Sequence, residues 1–353
     1  MSTTAQPAEP RNDLLNEPPF FIVGMGRSGT TLLRSLLGAH SRIAVTPETH
    51  FMTRADNWGA QNRDAPEDFD DFWRNLITWS RFREMGIDPD DVLARIDASG
   101  KRDFRNIFTA MLAAYGETIG KPRVGEKTPG HYVYLDRIFA WFPQARIIAI
   151  RRDPRDVVAS HVNAPWITDQ MARKELRAPV IRRLRTFHVA ERARVWCEAN
   201  GEILPEAESD PRILIVVYEK LVSHPEREMR RICDFLGEPF EASAASERRD
   251  DPLVPTTDKI RSQWSEWNEM HDDRASAPVS TGSVGRWRER LSPEEASLVE
   301  TICGPVMTRQ GYRTEMPKYP RRLVGQVLLH AGLAEDKLRT FVDWGKKRLK
   351  RAL

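Results

Sequence analysis

The sequence predicts an α/β fold with a doubly wound parallel sheet of about four to five strands, flanked by helices. Three observations carry this. Short, wholly apolar runs recur along the chain, each closed by a polar or glycine-containing loop. Segments of helical periodicity separate them. The first apolar run opens directly onto a glycine-punctuated loop and a helix start. Buried parallel strands read as continuous apolar runs, and their connections must be crossovers, usually helical.

Phe20-Phe21-Ile22-Val23 is the first strand, and Gly24-Met25-Gly26-Arg27-Ser28-Gly29 is its loop. The run from Thr30 to Leu37 suits a helix packed on the sheet. Strand, glycine loop and helix start together aim backbone N–H groups and a helix dipole at an anion. The spacing Gly24 to Gly29 matches the P-loop of nucleotide-binding enzymes, but Thr30 stands where the loop's lysine belongs. The cation is Arg27, inside the loop, which points to an anion other than a nucleoside triphosphate. Alone, the pattern also suits a plain tight strand–helix connection.

Ile43-Ala44-Val45 is a short strand, followed by the loop Thr46 to Phe51. In a doubly wound sheet the loops at the strands' carboxyl ends share one crevice, which would bring Glu48 and His50 toward the phosphate loop. A solvated carboxylate and a helix-capping turn are the plain alternative. Residues from about 55 to 121 read as a helical insertion that could cover the crevice. Within it Phe104, Ile107, Phe108, Met111, Leu112 and Tyr115 mark an apolar helix face, most simply core.

Arg123-Val124-Gly125-Glu126-Lys127-Thr128-Pro129 is a short strand ending in a loop that holds Lys127. Pro129 starts a helix carrying Tyr132, Leu135, Ile138 and Phe139. Ala145 to Ile150 is the clearest buried strand and runs into Arg151-Arg152-Asp153-Pro154-Arg155-Asp156. Asp153 suits an N-cap and Pro154 a first turn. That places Arg152 at the strand tip and Ser160 about two turns into the helix. A second cation beside a helix start suits a second phosphate of the same ligand. Pairing of these arginines with Asp153 and Asp156 is the structural alternative.

Residues 164–200 read as long, arginine-rich helix with Trp166 and Trp196 as packing anchors. Arg212 to Tyr218 is a further strand, and the helix after it stops near Leu236 at Gly237. Ser246 to Ser280 is polar, proline-punctuated and without periodicity, so a mobile loop is expected over about 246–281. Gly282 to Trp287 closes it. Ser292 and Glu295 then form a capping box at the last well-marked helix.

Composition limits the function classes. The chain has 353 residues and a net charge of only +3, so no global basic field argues for a nucleic-acid partner. Cys197, Cys233 and Cys303 lack metal-ligand spacing and read as core thiols in a reducing compartment. Residues 1–19 read as a disordered tail without a signal pattern, and no apolar run reaches ~18 residues. A soluble cytoplasmic protein is expected, with one domain over 20–316. From Lys318 to Leu353 there are ten Lys/Arg against three Asp/Glu. Leu323, Val327, Ala331, Leu338, Phe341, Val342 and Leu349 lie roughly on one helical face of that extension (317–353). It either packs on the domain or makes peripheral contact with the inner membrane surface.

Five segments, in order, resemble one family: the phosphate loop, the Glu-Lys-Thr-Pro loop, the strand into Arg-Arg-Asp-Pro-Arg-Asp, the Tyr-Glu-Lys-Leu strand end and Gly-Arg-Trp. The chain resembles the sulfotransferases that use 3′-phosphoadenosine 5′-phosphosulfate (PAPS), over about Phe20 to Tyr312. It looks most like the tyrosylprotein sulfotransferase branch and its bacterial relatives. The resemblance implies that Arg27, Ser28, Gly29, Thr30 and Thr31 hold the 5′-phosphosulfate and that Arg152 and Ser160 hold the 3′-phosphate. Arg286 falls near that phosphate, and Tyr218 is grouped with the donor-binding residues. Glu48 falls at the general base and Lys127 at the lysine on the sulfuryl or bridging oxygen. His50 replaces an arginine beside the acceptor, and His50 and His131 are the acceptor-side candidates or substitute bases.

The implied reaction is in-line transfer of a sulfuryl group to a hydroxyl of a carbohydrate, lipid or peptide, leaving 3′,5′-bisphosphoadenosine (PAP). Arg27 and Lys127 stabilise developing charge with Arg27 counted as catalytic, and no metal is expected. A P-loop kinase-like enzyme and a non-catalytic membrane-surface protein on the same scaffold are the alternatives.

Overall fold

Strand β1 (Phe20–Gly24) is buried along its whole length. It lies between β3 (Arg123–Lys127) and β4 (Arg146–Arg151), with β2 (Ile43–Val45) outside β3 and β5 (Ile213–Val217) outside β4. Every neighbouring pair is parallel, giving one sheet in the order β2-β3-β1-β4-β5. The computed structural model describes residues 15–164, 178–203, 209–246, 279–318 and 320. Most of the expected mobile loop, Trp166, residues 1–14 of the tail and the amphipathic positions from Leu323 onward lie outside the described residues.

The order makes β1 the switch point. The chain leaves it toward β2 and β3 on one side and later returns to β4 and β5 on the other, so a crevice opens beyond its carboxyl end. Glycines let neighbouring strands meet closely at both ends of β1. Gly125 pairs with Phe20, and a Cβ on it would sit 2.1 Å from the Phe20 ring. Gly24 has φ 142° and packs on the Ile150 carbonyl of β4, where a Cβ would lie 2.4 Å away.

Alternation along β1 sends Phe21 and Val23 to one face and Phe20 and Ile22 to the other. On the first face lie helices from the segment between β2 and β3: α2 (Phe51–Asp56), α3 (Phe69–Thr78), α4 (Ser80–Arg83), α5 (Pro89–Ser99) and α6 (Phe104–Ile119). Phe108 of α6 stacks on Phe51 at 4.5 Å and lies 6.4 Å from Phe21. The aromatic stripe is therefore core, and these helices form a layer packed on the sheet. The insertion starts at Phe51, four residues before the expected boundary. The opposite face is covered by α1 (Thr30–Gly38), through Leu33, Leu36 and Leu37, and by the helix Pro225–Leu236.

A third cluster joins α8 (Pro154–Val162) to the helices Ala178–Glu198 and Pro293–Arg309 through Val157, Val158, Trp196, Leu298 and Val299. Local signals account for the ends. Asp153 caps α8, Gly237 stops Pro225–Leu236 at φ 78°, and Ser292 with Glu295 completes a capping box. One expectation is corrected. Pro129 does not start a continuous α-helix but a 3-10 turn over Pro129–Tyr134, and α7 (Leu135–Trp141) begins only afterwards.

Candidate active site

The loop after β1 is shaped by two left-handed residues. Gly29 has φ 102° and is the last residue before α1. A Cβ on it would lie 2.4 Å from the Tyr218 ring, so only glycine fits between ring and loop. Arg27 has φ 71°, a conformation that costs a non-glycine residue of order 1–2 kcal/mol. No side chain caps the start of α1, so its first-turn N–H groups face the carboxyl edge of the sheet uncapped by a side chain. Ser28 and Thr30 are buried in the loop, while Arg27 and Thr31 are half-buried.

The second cation comes to the same place. Arg27 Nε donates to Ser160 Oγ at 3.0 Å, joining the loop to α8. Arg152, at the tip of β4, donates from Nη1 to the Arg27 carbonyl at 3.2 Å and from Nη2 to the Ser283 carbonyl at 2.5 Å. Its guanidinium lies 4.2 Å from the centre of the Tyr218 ring, and the Trp196 indole N–H donates to its carbonyl at 3.0 Å. Its Nε is buried without an acceptor among the described residues. An unsatisfied buried guanidinium N–H costs free energy unless an anion meets it. Arg155 behaves differently. It binds Asp153 (2.6 Å) and Glu300 (2.7 Å) in a buried network, so the structural reading of this arginine run holds for Arg155, and it holds in part for Arg152, whose Nη2 lies 3.9 Å from Asp156 Oδ2.

The Gly-Arg-Trp segment reaches this cradle through Asp156 on α8. Its carboxylate accepts the Gly285 N–H at 2.7 Å and the Trp287 N–H at 2.9 Å. Burial raises the Asp156 carboxyl, against the Arg152 charge and those two N–H groups. Arg286 lies between the anchored residues and is solvent-exposed. His161, next to Ser160, is held neutral: burial and then the charges of Arg192, Arg27 and His188 lower it to about 4.

On the other side of β1, Lys127 Nζ donates to Glu48 Oε1 at 2.7 Å, and His50 Nε2 lies 3.2 Å from Glu48 Oε2. Both carboxylate oxygens are engaged. Burial would raise the Glu48 carboxyl, but the Lys127 charge and the His50 and Lys127 hydrogen bonds outweigh it and hold it well below the usual range. Burial, aided by Arg34, pulls the Lys127 ammonium down against the pull of Glu48. His50 is the second left-handed non-glycine residue, at φ 48°.

The structure thus brings Arg27, Arg152, Ser160 and Tyr218 into one cluster and Glu48, Lys127 and His50 into another beside it. His131 is different. It is fully enclosed, with Nδ1 2.9 Å from Glu126 Oε2, whereas His50 is partly open to solvent. In the sequence Asp156 is legible only as a pairing partner and Glu126 only as part of a motif, because nothing there shows which backbone N–H groups reach a carboxylate. Among the described residues no group of three His, Cys, Asp or Glu is placed to hold a metal ion.

Parallel sheet, uncapped helix start and two arginines brought together from the ends of β1 and β4 define a P-loop-type protein whose anion site lacks the usual lysine. Residues 18–242 match the family model described as the sulfotransferase family, and the chain belongs to that family. Arg286 lies beyond the matched residues. The chain is 26% identical over 339 residues to protein-tyrosine sulfotransferase A of Caenorhabditis elegans, covering 94% of this chain and 76% of the relative. It is 26% identical over 332 residues to the nodulation protein NoeE of Sinorhizobium fredii, covering 92% and 72%. Among solved structures, the sulfotransferase domain of the curacin biosynthetic pathway aligns with a TM-score of 0.55 at 19% identity. That alignment covers 85% of this chain and 99% of the domain, and it supports the fold.

Proposed function

We propose that this chain transfers a sulfuryl group from PAPS to a hydroxyl acceptor. The observation that carries the reading is the junction of Arg27, Arg152 and Ser160, where two strand ends and a helix meet at one cationic cradle. A bisphosphorylated ligand needs such a cradle, and the buried, unsatisfied Nε of Arg152 suits one of its phosphates. The uncapped start of α1, with Ser28, Gly29, Thr30 and Thr31, suits the phosphosulfate.

The donor supplies the sulfuryl group; the chain positions, neutralises charge and takes a proton. A new bond forms between acceptor oxygen and sulfur as the bond from sulfur to the phosphate oxygen breaks. Arg27 and the loop N–H groups face the charge left on that phosphate oxygen, and Lys127 faces the sulfuryl or bridging oxygen. Glu48 takes the acceptor's proton. A carboxylate paired as tightly as Glu48 is a weak base, and an anion competing for Lys127 strengthens it. Donor binding and activation of the base are coupled through one ammonium.

The acceptor carries a hydroxyl. The name of the worm relative makes peptide tyrosine the first acceptor to try, with carbohydrate and lipid hydroxyls beside it. The test is titration of purified protein with PAP, followed by transfer of labelled sulfate from PAPS to acceptor pools. Binding and transfer are expected without added magnesium. Absence of PAP binding, or magnesium-dependent ATP turnover in its place, overturns the reading.

A further inference from the structure

Glu126 has no part in the reaction above, yet it is enclosed and surrounded by donors. Its Oε1 accepts the Thr49 hydroxyl at 2.8 Å, the Thr128 hydroxyl at 2.5 Å and the Thr49 N–H at 3.4 Å. Its Oε2 faces His131 Nδ1 at 2.9 Å. The two threonine oxygens pass the restraint on. Thr128 Oγ1 accepts the His50 N–H at 3.1 Å, and Thr49 Oγ1 accepts the Phe51 N–H at 3.2 Å. Three consecutive backbone N–H groups, of Thr49, His50 and Phe51, are therefore tied directly or through one hydroxyl to a single carboxylate.

An enclosed carboxylate is expensive unless donors surround it. A core needing only stability would be served as well by apolar side chains. What this cluster holds is the segment directly after Glu48, including His50 in its strained left-handed conformation. Neighbouring strand residues point to opposite faces, so the end of β3 grips the loop twice. Glu126 fixes the backbone from one face, and Lys127 takes the Glu48 side chain from the other.

We propose that Glu126, acting through Thr49 and Thr128, is the positioning residue that keeps Glu48 against Lys127. The inference rests on the reading of Glu48 as the base. His131 closes the cluster, its Nδ1 2.9 Å from the far oxygen of Glu126.

The test follows the carbon-13 carboxyl signal of Glu48, assigned by its loss in Glu48→Gln, in wild type, Thr49→Val and Thr49→Ser. In wild type and Thr49→Ser, Glu48 stays ionised from pH ~7 to ~4.5. With the titration continued to lower pH, protonation in Thr49→Val begins about one pH unit or more above its onset in wild type and Thr49→Ser. Thr128→Val, which frees the His50 N–H and takes one hydroxyl from Glu126, gives the same direction and serves if Thr49→Val does not fold. A folded valine variant whose Glu48 titrates as in wild type overturns the proposal, since loss of a merely structural bond leaves that signal in place. PAP titration of the same samples separates the two readings. Failure of PAP to bind wild type removes the donor assignment and with it the base role, whereas PAP binding with an unmoved Glu48 signal removes only the positioning role.

Discussion

Lys127 and Glu48 stand 2.7 Å apart although 79 positions separate them, and they meet because β2 and β3 are parallel neighbours whose carboxyl ends share an edge. The contact joins a candidate base to a candidate electrophile, so removing either partner changes the other. Glu48→Gln is expected to bind PAP within about threefold of wild type while turnover falls by ~10²–10⁴. Calorimetry and a labelled-donor assay check both halves. Wild-type turnover in Glu48→Gln transfers the base role elsewhere, first to His50.

The same pair sets an acid dependence. The Glu48 carboxyl lies below its ordinary value in the folded protein, so its contribution to stability is fully present above the unfolded value of ~4.3. It is lost progressively as pH falls below that toward the depressed folded value. A Glu48→Gln, Lys127→Met double variant lacks both charges. The difference in Tm between it and wild type is expected to drift in favour of the variant between pH ~6 and ~3. A difference that stays constant, or drifts the other way, contradicts the pairing.

Arg152 holds two carbonyls and stacks on Tyr218, and one of its N–H groups is free of partners among the described residues. Arg152→Ala is expected to weaken PAP binding by ~10–100-fold, the range of a charge-assisted hydrogen bond. Arg152→Lys keeps the charge but loses the planar fork, so it recovers only part. Full recovery by lysine is the result that argues for a simple point charge.

Gly29→Ala brings a methyl to 2.4 Å from the Tyr218 ring at a φ that favours glycine. The expected cost is about 1–3 kcal/mol of stability together with loss of PAP binding. Tyr218→Leu in the same chain relieves the contact but not the backbone, so it restores Tm only in part. Thermal denaturation with and without PAP reads both.

The strands and the two cationic segments were legible because apolar runs and glycine spacing are local properties. Phe20–Val23, Ala145–Ile150 and Arg212–Tyr218 each fell within a residue or two of an observed strand. The meeting of Arg27 with Ser160 was legible only through the parallel-sheet rule, which sends strand ends to one edge. The enclosure of His131 was not legible. A histidine two residues after a proline reads the same whether its ring faces solvent or a buried carboxylate, and Glu126 decides between them. The 3-10 turn over Pro129–Tyr134 also escaped, since Pro129 opens either kind of helix equally well.

Asp156 is buried on α8, and its two close N–H partners come from Gly285 and Trp287, well over a hundred residues later. While the polypeptide is being synthesised, all five strands can emerge and associate before those partners leave the ribosome. Until then the Asp156 carboxylate has no backbone donors from that segment, and the Ser283 carbonyl has not reached Arg152. A nascent chain halted after β5 therefore lacks the contacts that finish the binding groove. Ligand affinity, more than secondary-structure content, should report when translation has passed Trp287.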